Sequence, residues 1–418
     1  MRFIADLHIH SRYSRATSRD MELEGLAIWG KKKGITLLGT GDFTHPTYFA
    51  EIRSKLEPFD EGIYVLKRGE RETKFMLTAE VSNIFSQGGK VRKIHTLIFA
   101  PNVSAVEGIN DKLRGLGKLG SDGRPIFGFP AKDLVKIVLD VSSDCLVVPA
   151  HAWTPWFSVF GANSGFDSLE ECYEEQVRHI FAIETGLSSD PEMNWRLSTL
   201  DTITLLSNSD AHSLNRLGRE ANVFDGPLGY REIVGAIRDK NPRKFLFTIE
   251  FFPQEGKYHF DGHRNCGVVF SPVQTKANDY LCPVCKKRLT VGVMHRIGEM
   301  ADRAEGFIPS KSIPSIHLIP LEEIIAESLG VGVGTKAVEA EYERLIEAGG
   351  SEFAVLLDLS PEELKRFTSP RILEGIVRVR QGKLHIVPGH DGVYGKINIF
   401  SQEERGEGEA SEEQMNLF

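Results

Sequence analysis

Short apolar runs alternate with longer segments of mixed polarity through roughly the first 250 residues. The apolar runs predict eight strands, at 2–6, 35–40, 75–79, 95–100, 145–150, 180–184, 203–207 and 245–249. Between them, segments 21–33, 131–141 and 230–240 have the apolar spacing of amphipathic helices. Repeated strand–helix units of this kind predict an α/β fold with a parallel barrel. In such barrels the reactive side chains gather at the carboxyl ends of the strands.

The pattern changes twice further along the chain. Residues 251–296 form short polar stretches that carry glycine and cysteine, which predicts a small separate module after a catalytic domain at 1–250. Residues 297–400 are mainly helical in pattern, with amphipathic runs at 321–329 and 337–348. The acidic stretch 401–418 is typical of a disordered tail.

Side chains that can bind metal ions follow the apolar runs. His8 and His10 lie two apart on an extended segment and therefore point the same way. The others are Asp42, His45, Glu80, His95, His151, Asp210 and His212. Taken singly, each is more often a core or turn residue, and Asp42 could equally cap a helix. Because the whole set falls at successive strand ends, it predicts a hydrolytic site with two or three divalent ions.

Size and charge restrict the class of protein. With 418 residues, 41% hydrophobic and 26% charged, the chain should form two or three globular domains. No apolar run approaches the roughly 20 residues needed to span a bilayer, so we expect a cytoplasmic protein without a membrane partner. The net charge of −8 does not exclude DNA, since six glutamates and one arginine within 402–418 contribute −5 of it.

Three of the five cysteines cluster late in the chain. The spacing His263-x2-Cys266-x15-Cys282-x2-Cys285 is typical of a structural, tetrahedral zinc site. The fourth ligand stays open: His263 has the best spacing, and His259 and Asp261 compete with it. A redox role for the Cys282–Cys285 pair is disfavoured, because no thioredoxin-like strand and helix surround it.

Several segments have features of DNA binding. Gly332, Gly334 and Lys336 precede an amphipathic run and resemble the hairpin of helix-hairpin-helix modules, whose backbone N–H groups approach phosphates. Arg12 and Arg15 could hold flanking phosphates.

Two tryptophans and the C-terminal peptide leave alternatives open. Trp153 and Trp156, directly after His151, either stack a base extruded from the duplex or pack a large loop against the barrel. The terminal peptide with Gln414, Leu417 and Phe418 resembles a shortened sliding-clamp motif, or is an accidental apolar end.

The motifs together resemble a known family. The stretches are DLHIHSRYSRATS at 6–18, HAWTPWF at 151–157, EGKYHFDGHRNC at 255–266 and PGHDGVYGK at 388–396. The chain resembles, over its whole length, archaeal endonuclease Q of the polymerase and histidinol phosphatase (PHP) superfamily. The resemblance implies a distorted (β/α)7-type PHP barrel. It also implies cleavage of DNA on the 5′ side of deaminated bases (hypoxanthine, uracil or xanthine) or abasic sites.

The resemblance also assigns roles. It implies that one ion is held by His8, His10, Glu80 and Asp210. A second ion would share Glu80 and be held also by His95 and His151. A third would be held by His45 and His212. The ions would be Zn, Mg or Mn, besides one structural Zn. Glu80, Asp210 and Asp42 are the expected catalytic residues, unless Asp42 only orients a ligand. The alternatives are a small-molecule phosphoesterase like histidinol phosphatase and a non-catalytic nucleic-acid-binding factor.

Overall fold

The computed structural model describes residues 1–405. The strands are β1 (Arg2–Asp6), β2 (Leu37–Gly39), β3 (Leu56–Asp60), β4 (Ile63–Leu66), β5 (Lys74–Gln87), β6 (Lys90–Ala100), β7 (Ile126–Phe127), β8 (Leu146–Pro149), β9 (Ala182–Glu184), β10 (Thr204–Leu206), β11 (Ala221–Asp225), β12 (Phe245–Glu250), β13 (Asp261–His263), β14 (Val268–Phe270), β15 (Ser315–His317), β16 (His385–Val387) and β17 (Lys396–Asn398). The α-helices are α1 (Leu23–Lys33), α2 (Pro46–Lys55), α3 (Val103–Arg114), α4 (Ala131–Val141), α5 (Leu169–Tyr173), α6 (Pro191–Asn194), α7 (Tyr230–Arg238), α8 (Pro272–Ala277), α9 (Val293–Met300), α10 (Leu321–Leu329), α11 (Lys336–Gly349), α12 (Pro361–Leu364) and α13 (Pro370–Arg380).

The main sheet has eleven strands, with the path β15-β12-β11-β1-β2-β5-β4-β3 and with β6, β7 and β8 joined at β5 and β6. Strands β1, β2 and β5 run parallel, whereas β11 is antiparallel to both β1 and β12, and β6 is antiparallel to β5 and β8. Strands β9 and β10 form a separate parallel pair. The α/β class is confirmed, but the expectation of parallel pairing throughout is wrong. The strand ladders of residues 1–405 do not close into a ring.

A tight hairpin explains the largest departure from parallel pairing. Gln87 pairs with Lys90, and Gly88 and Gly89 between them have φ values of 61° and 73°. A two-residue Gly-Gly turn with positive φ matches the twist of antiparallel strands. The predicted strands 75–79 and 95–100 are therefore the inner parts of two much longer strands.

Helices cover the sheet on both faces. In β1, Ile4 packs in one apolar cluster with α1 and α4, while Phe3 and Ala5 pack in another with α7. A strand that is buried on both sides has a continuous apolar run, as residues 3–5 of β1 do.

Side-chain amides connect strands that share no ladder. Asn208, just after β10, accepts from the backbone N–H of Leu7 at 2.9 Å, and Asn222 of β11 accepts from that of Ser207 at 3.0 Å. Asn222 Nδ2 also donates to Asn208 Oδ1 at 2.9 Å. These buried bonds hold the carboxyl ends of β1 and β10 side by side.

The residues after 250 contact the main sheet and one another. Strand β15 pairs in parallel with β12, and the β16–β17 hairpin lies against the segment 254–264 through the bond from Phe260 N–H to Gly389 O, at 2.9 Å. The predicted helical region 297–400 thus also contains three strands. The boundaries at 250 and 296 stay predictions. Among the described residues, no helix combines the length and apolarity needed to cross a bilayer.

Candidate active site

Glu80 of β5 lies at the centre of the predicted ligands. Its Oε2 is 3.1 Å from His10 Nε2 and 3.5 Å from His8 Nε2, and Asp210 Oδ1 is 3.1 Å from the same atom of His10. Four ligands around one ion at about 2.1 Å would be about 3.4 Å apart in tetrahedral geometry. Both Nε2 atoms and Asp210 Oδ1 are buried without a hydrogen-bond partner in residues 1–405. This donor set fits a divalent cation, because buried polar atoms otherwise carry a desolvation cost.

The other oxygen of Glu80 faces a second group. Its Oε1 is 2.8 Å from His95 Nδ1 and 3.1 Å from His151 Nε2, and these two nitrogens are 3.2 Å apart. One buried carboxylate is thus shared by two sets of imidazoles, which is the arrangement that a bridging ligand requires.

The site residues follow strand ends in unusual backbone conformations. Asp42, His151 and Asp210 have φ values of 44°, 30° and 47°, in the left-handed region that non-glycine residues rarely adopt. Gly186, after β9, allows a close approach to His151, since a Cβ on Gly186 would lie 2.5 Å from His151 Cβ. The backbone of the turns that carry Asp42, His151 and Asp210 therefore adopts conformations that orient these side chains.

Two buried carboxylates orient the imidazoles. Glu184 contacts His8 Nδ1 at 3.0 Å and accepts from His151 N–H at 2.8 Å. Asp42 contacts His10 Nδ1 at 3.0 Å and accepts from Ser11 N–H at 2.7 Å. A proton held on Nδ1 leaves Nε2 free to bind a cation. These contacts fit the orienting role of Asp42, and its catalytic role stays a prediction.

The charges of the site depend on one another. Burial opposes charge on His8, but Glu184, Glu80 and Asp210 raise its pKa well above the ordinary value. For His95 burial dominates and lowers the pKa to about 4. Burial disfavours the charged form of Glu80, yet His95 and Arg124 bring its pKa well below the usual range. The acidic groups around His8 therefore favour a positive charge at that position, whereas His95 is held neutral and can bind a cation.

Sequence reasoning missed Arg124 and Glu184. Arg124 Nη1 is 2.8 Å from Glu80 Oε2, and the arginine side chain remains 27% exposed. It lies in a glycine-bearing loop before β7, where no periodic pattern marks it. Glu184 ends β9, and its position after an apolar run was the one available signal.

His45 and His212 do not form a third group. His45 is the N-cap of α2, with Nδ1 accepting from Tyr48 N–H at 3.4 Å and its ring 4.4 Å from that of Tyr13. The His212 ring is 4.5 Å from the His10 ring. Among residues 1–405, neither belongs to a set of three or more potential ligands within 4.8 Å of one another. The third ion stays a prediction.

The two tryptophans that were predicted to contact DNA differ in how exposed their side chains are. Trp153 is 1% exposed, donates to Asn194 Oδ1 at 2.8 Å and packs on Phe160, so base stacking is wrong for it and loop packing holds. Trp156 is 51% exposed, with Lys93 Nζ 5.0 Å from its ring centre.

The two arginines also differ. Arg12 is bound between Glu22 and Glu51, at 2.8 Å from each, which restricts its predicted contact with phosphate. Arg15 is 83% exposed and contacts Asp122 at 3.2 Å. Arg15 is therefore the better placed of the two to meet a phosphate.

The late cysteines lie together with His263. The donor atoms of His263, Cys266, Cys282 and Cys285 are within 4.8 Å of one another. The competitor Asp261 instead accepts from Gly292 N–H and contacts His295 Nδ1, both at 2.7 Å. The geometry therefore favours His263 as the fourth ligand of a zinc site.

The predicted DNA-binding hairpin joins α10 to α11. Gly332 and Gly334 are exposed in this connection, and Lys336 is the first residue of α11. The terminal residues Gln414, Leu417 and Phe418 lie outside the described residues.

Comparison with known proteins identifies the family. Residues 320–383 match the model of the MJ0043 C-terminal domain. The chain is 31% identical over 409 residues to the uncharacterized protein YqxK of Bacillus subtilis, covering 94% of this chain and 98% of that one.

Two solved structures match the chain almost end to end. One is the lesion-specific endonuclease PfuEndoQ of Pyrococcus furiosus, at 34% identity and TM-score 0.85, covering 96% of both chains. The other is an endonuclease Q complex with a 27-mer duplex carrying an abasic lesion at the active site, at 34% identity, full coverage of both chains and TM-score 0.83. The chain belongs to the endonuclease Q family, as its motifs predicted.

Proposed function

We propose that this protein is a metal-dependent DNA repair endonuclease. It hydrolyses the phosphodiester 5′ of a deaminated base (hypoxanthine, uracil or xanthine) or of an abasic site. Full-length similarity to a lesion-specific endonuclease and to a complex with abasic DNA supports this proposal. The observation that carries it is the buried Glu80, which faces a separate set of donors with each oxygen.

Different residues of the site hold the ions and contact the phosphate. Divalent ions such as Zn, Mg or Mn, when bound here, supply hydroxide at neutral pH and neutralise charge on phosphate oxygens. His8, His10 and Asp210 would hold one ion and His95 and His151 the other, and Glu80 faces both positions. Arg124 provides a partly exposed guanidinium beside Glu80 that can meet a phosphate oxygen.

Other residues bind the DNA substrate, a structural zinc ion and a partner protein. The exposed ring of Trp156 stacks an extruded base, and Arg15 contacts a flanking phosphate. Residues 251–296 form a zinc module held by His263, Cys266, Cys282 and Cys285, and the Gly332–Lys336 hairpin in 297–400 binds the duplex backbone. The terminal peptide in 401–418 binds a sliding clamp.

The catalytic part, residues 1–250, is a distorted PHP-type barrel. The amide bridges of Asn208 and Asn222 support this assignment, since they connect the carboxyl ends of β1 and β10, which share no strand ladder, with the amino end of β11. The ligands converge at that same end.

A nicking assay tests the function. Duplexes end-labelled on one strand and carrying a single abasic site, uracil, hypoxanthine or normal base are incubated with the protein and Mg²⁺, Mn²⁺ or Zn²⁺. We expect a single cut 5′ of the lesion that a chelator abolishes. Asp210→Asn should lose cutting and keep lesion binding, because Asp210 is a ligand and is not part of the proposed DNA-binding surface.

Two outcomes would overturn the proposal. One is full cutting by Asp210→Asn. The other is release of phosphate from histidinol phosphate with no cutting of any lesion duplex, which would make the protein a small-molecule phosphoesterase.

A further inference from the structure

A further set of potential ligands, which shares no residue with the sets around Glu80, lies where the segment after β9 meets β15. Asp190, Glu192 and His317 present donor atoms within 4.8 Å of one another. His317 Nε2 is 3.2 Å from Asp190 Oδ2. Asp190 and Glu192 flank the first residue of α6, and His317 ends β15. Two segments that are distant in sequence thus converge on one point.

A buried carboxylate lies beside this set. Glu250 is the register partner of His317 across β12 and β15, so both side chains lie on the same face. Glu250 is fully buried; its Oε2 accepts from Thr185 Oγ1 at 3.1 Å, and its Oε1 has no hydrogen-bond partner within the described part of the chain. A buried carboxylate oxygen without a donor is costly, and a nearby cation would compensate it.

An ion pair alone does not balance the charges. The bond between His317 and Asp190 accounts for one carboxylate, and Ser315 Oγ donates to Glu192 Oε1 at 2.7 Å. The charged groups that act on the pKa of His317 are Asp190, Glu250 and Glu192, all of them acidic. Asp190 and Glu192 are two carboxylates beside one imidazole, so a negative charge remains that a divalent cation would neutralise.

We propose that Asp190, Glu192 and His317, with Glu250 alongside, bind a divalent transition-metal cation such as Zn²⁺ or Mn²⁺. Carboxylates with one imidazole suit these ions. The ion ties β15 to the segment that follows Glu184, the residue that orients His8. It is separate from both the Glu80 site and the cysteine cluster, and it braces residues after 297 against the sheet.

Metal counting tests the site in the full-length protein. Wild type, His317→Ala and the control His385→Ala, which removes an exposed histidine of β16, are equilibrated with Zn²⁺, desalted and analysed by mass spectrometry of the metal. We expect His317→Ala to retain one Zn²⁺ fewer per chain than the other two. Equal counts in all three would overturn the proposal.

A milder variant separates cation binding from loss of the ion pair. Glu192→Gln keeps the His317–Asp190 bond and changes an exposed side chain, so the fold should persist. We expect the Zn²⁺ concentration that gives half-maximal thermal stabilisation to rise about tenfold or more. An unchanged Zn²⁺ dependence would make the cluster an ion pair only. Neither readout uses nicking, so failure here leaves the nuclease proposal untouched.

Discussion

Glu80 is a buried carboxylate that belongs to two sets of potential ligands. Its oxygens lie 2.8 Å from His95 Nδ1 and 3.1 Å from His10 Nε2, with Arg124 alongside. Water molecules bound to an exposed carboxylate would compete with the two sets of side chains for its oxygens. Burial therefore turns a common residue type into the shared ligand of the proposed site.

Replacing Glu80 with Gln should disable both ion positions together. The amide keeps the shape but loses the charge that both sets share. We expect the nicking rate to fall more than about 100-fold, because even residues that only orient ligands contribute 10- to 100-fold. Bound metal should fall in parallel, while affinity for abasic duplex persists. The control Glu57→Gln changes an exposed ion pair with Arg71. Near-normal nicking by Glu80→Gln would contradict the shared-ligand role.

Glu255 should make stability depend on pH. Burial, reinforced by Glu323, raises its pKa from 4.5 to about 8. Between these values the folded protein holds a proton that the unfolded chain has released, so the free energy of unfolding falls as pH rises. Glu255→Gln should match wild type at about pH 5 and exceed it at about pH 8.5 in urea unfolding. An equal difference at both pH values would contradict the shifted pKa.

The sequence revealed ligands more readily than their partners. Two signals identify the histidine ligands: histidine is a common metal ligand, and each histidine lies near a strand end. Both signals apply to His8, His10, His95 and His151. Arg124 and Glu184 have common residue types, and their importance comes from contacts between segments distant in sequence. The burial of Trp153 depends on how its loop folds over Asn194, which local sequence does not specify.

Among the elements, helices were predicted better than strand partners. Residues 131–141 and 321–329 coincide with α4 and α10, because one apolar face at helical spacing identifies an amphipathic helix. Strand β6 extends back to Lys90 through residues that are mostly charged and are exposed or half-buried, so its buried apolar run begins only at Ile94. Strand β11 was not predicted from the sequence, and its antiparallel pairing with β1 could not be predicted either, because strand direction leaves no mark on a doubly buried run.

The connection between α10 and α11 offers a test of DNA binding. A Cβ on Gly334 would meet nothing within 4 Å, and its φ is not positive, so Gly334→Val should fold normally. If backbone N–H groups here approach phosphate, the valine side chain obstructs them. We expect Kd for damaged and undamaged duplex to rise together by about tenfold, since phosphate contacts carry no sequence information.

A matched substitution controls for bulk. Gly298→Val, in α9, also meets nothing within 4 Å and lies outside this connection. Its Kd for duplex should equal that of wild type. An unchanged Kd for Gly334→Val in fluorescence anisotropy would contradict a role for this connection.

At the scale of the whole molecule, charge is distributed unevenly. Of the net −8, the segment 402–418 holds −5, so the rest of the chain is only mildly acidic. DNA binding therefore requires local basic groups rather than net charge, and Arg15 and Lys336 are the proposed candidates. End-to-end similarity to endonuclease Q structures indicates that the later segments belong to one assembly with the site.

The cysteine cluster and the β16–β17 hairpin should be stabilised together, although about 100 residues separate them. Asp391 accepts from Arg264 N–H at 2.8 Å and from Thr290 Oγ1 at 2.5 Å. If zinc folds the segment around Cys266, its loss releases these contacts. We expect Cys285→Ser to speed amide exchange in β16 and β17, with α4 unchanged. Val284→Ala, a change at a 68% exposed neighbour, should leave both unchanged. Unaltered exchange of β16 and β17 in Cys285→Ser would mean that the hairpin is held independently of the metal.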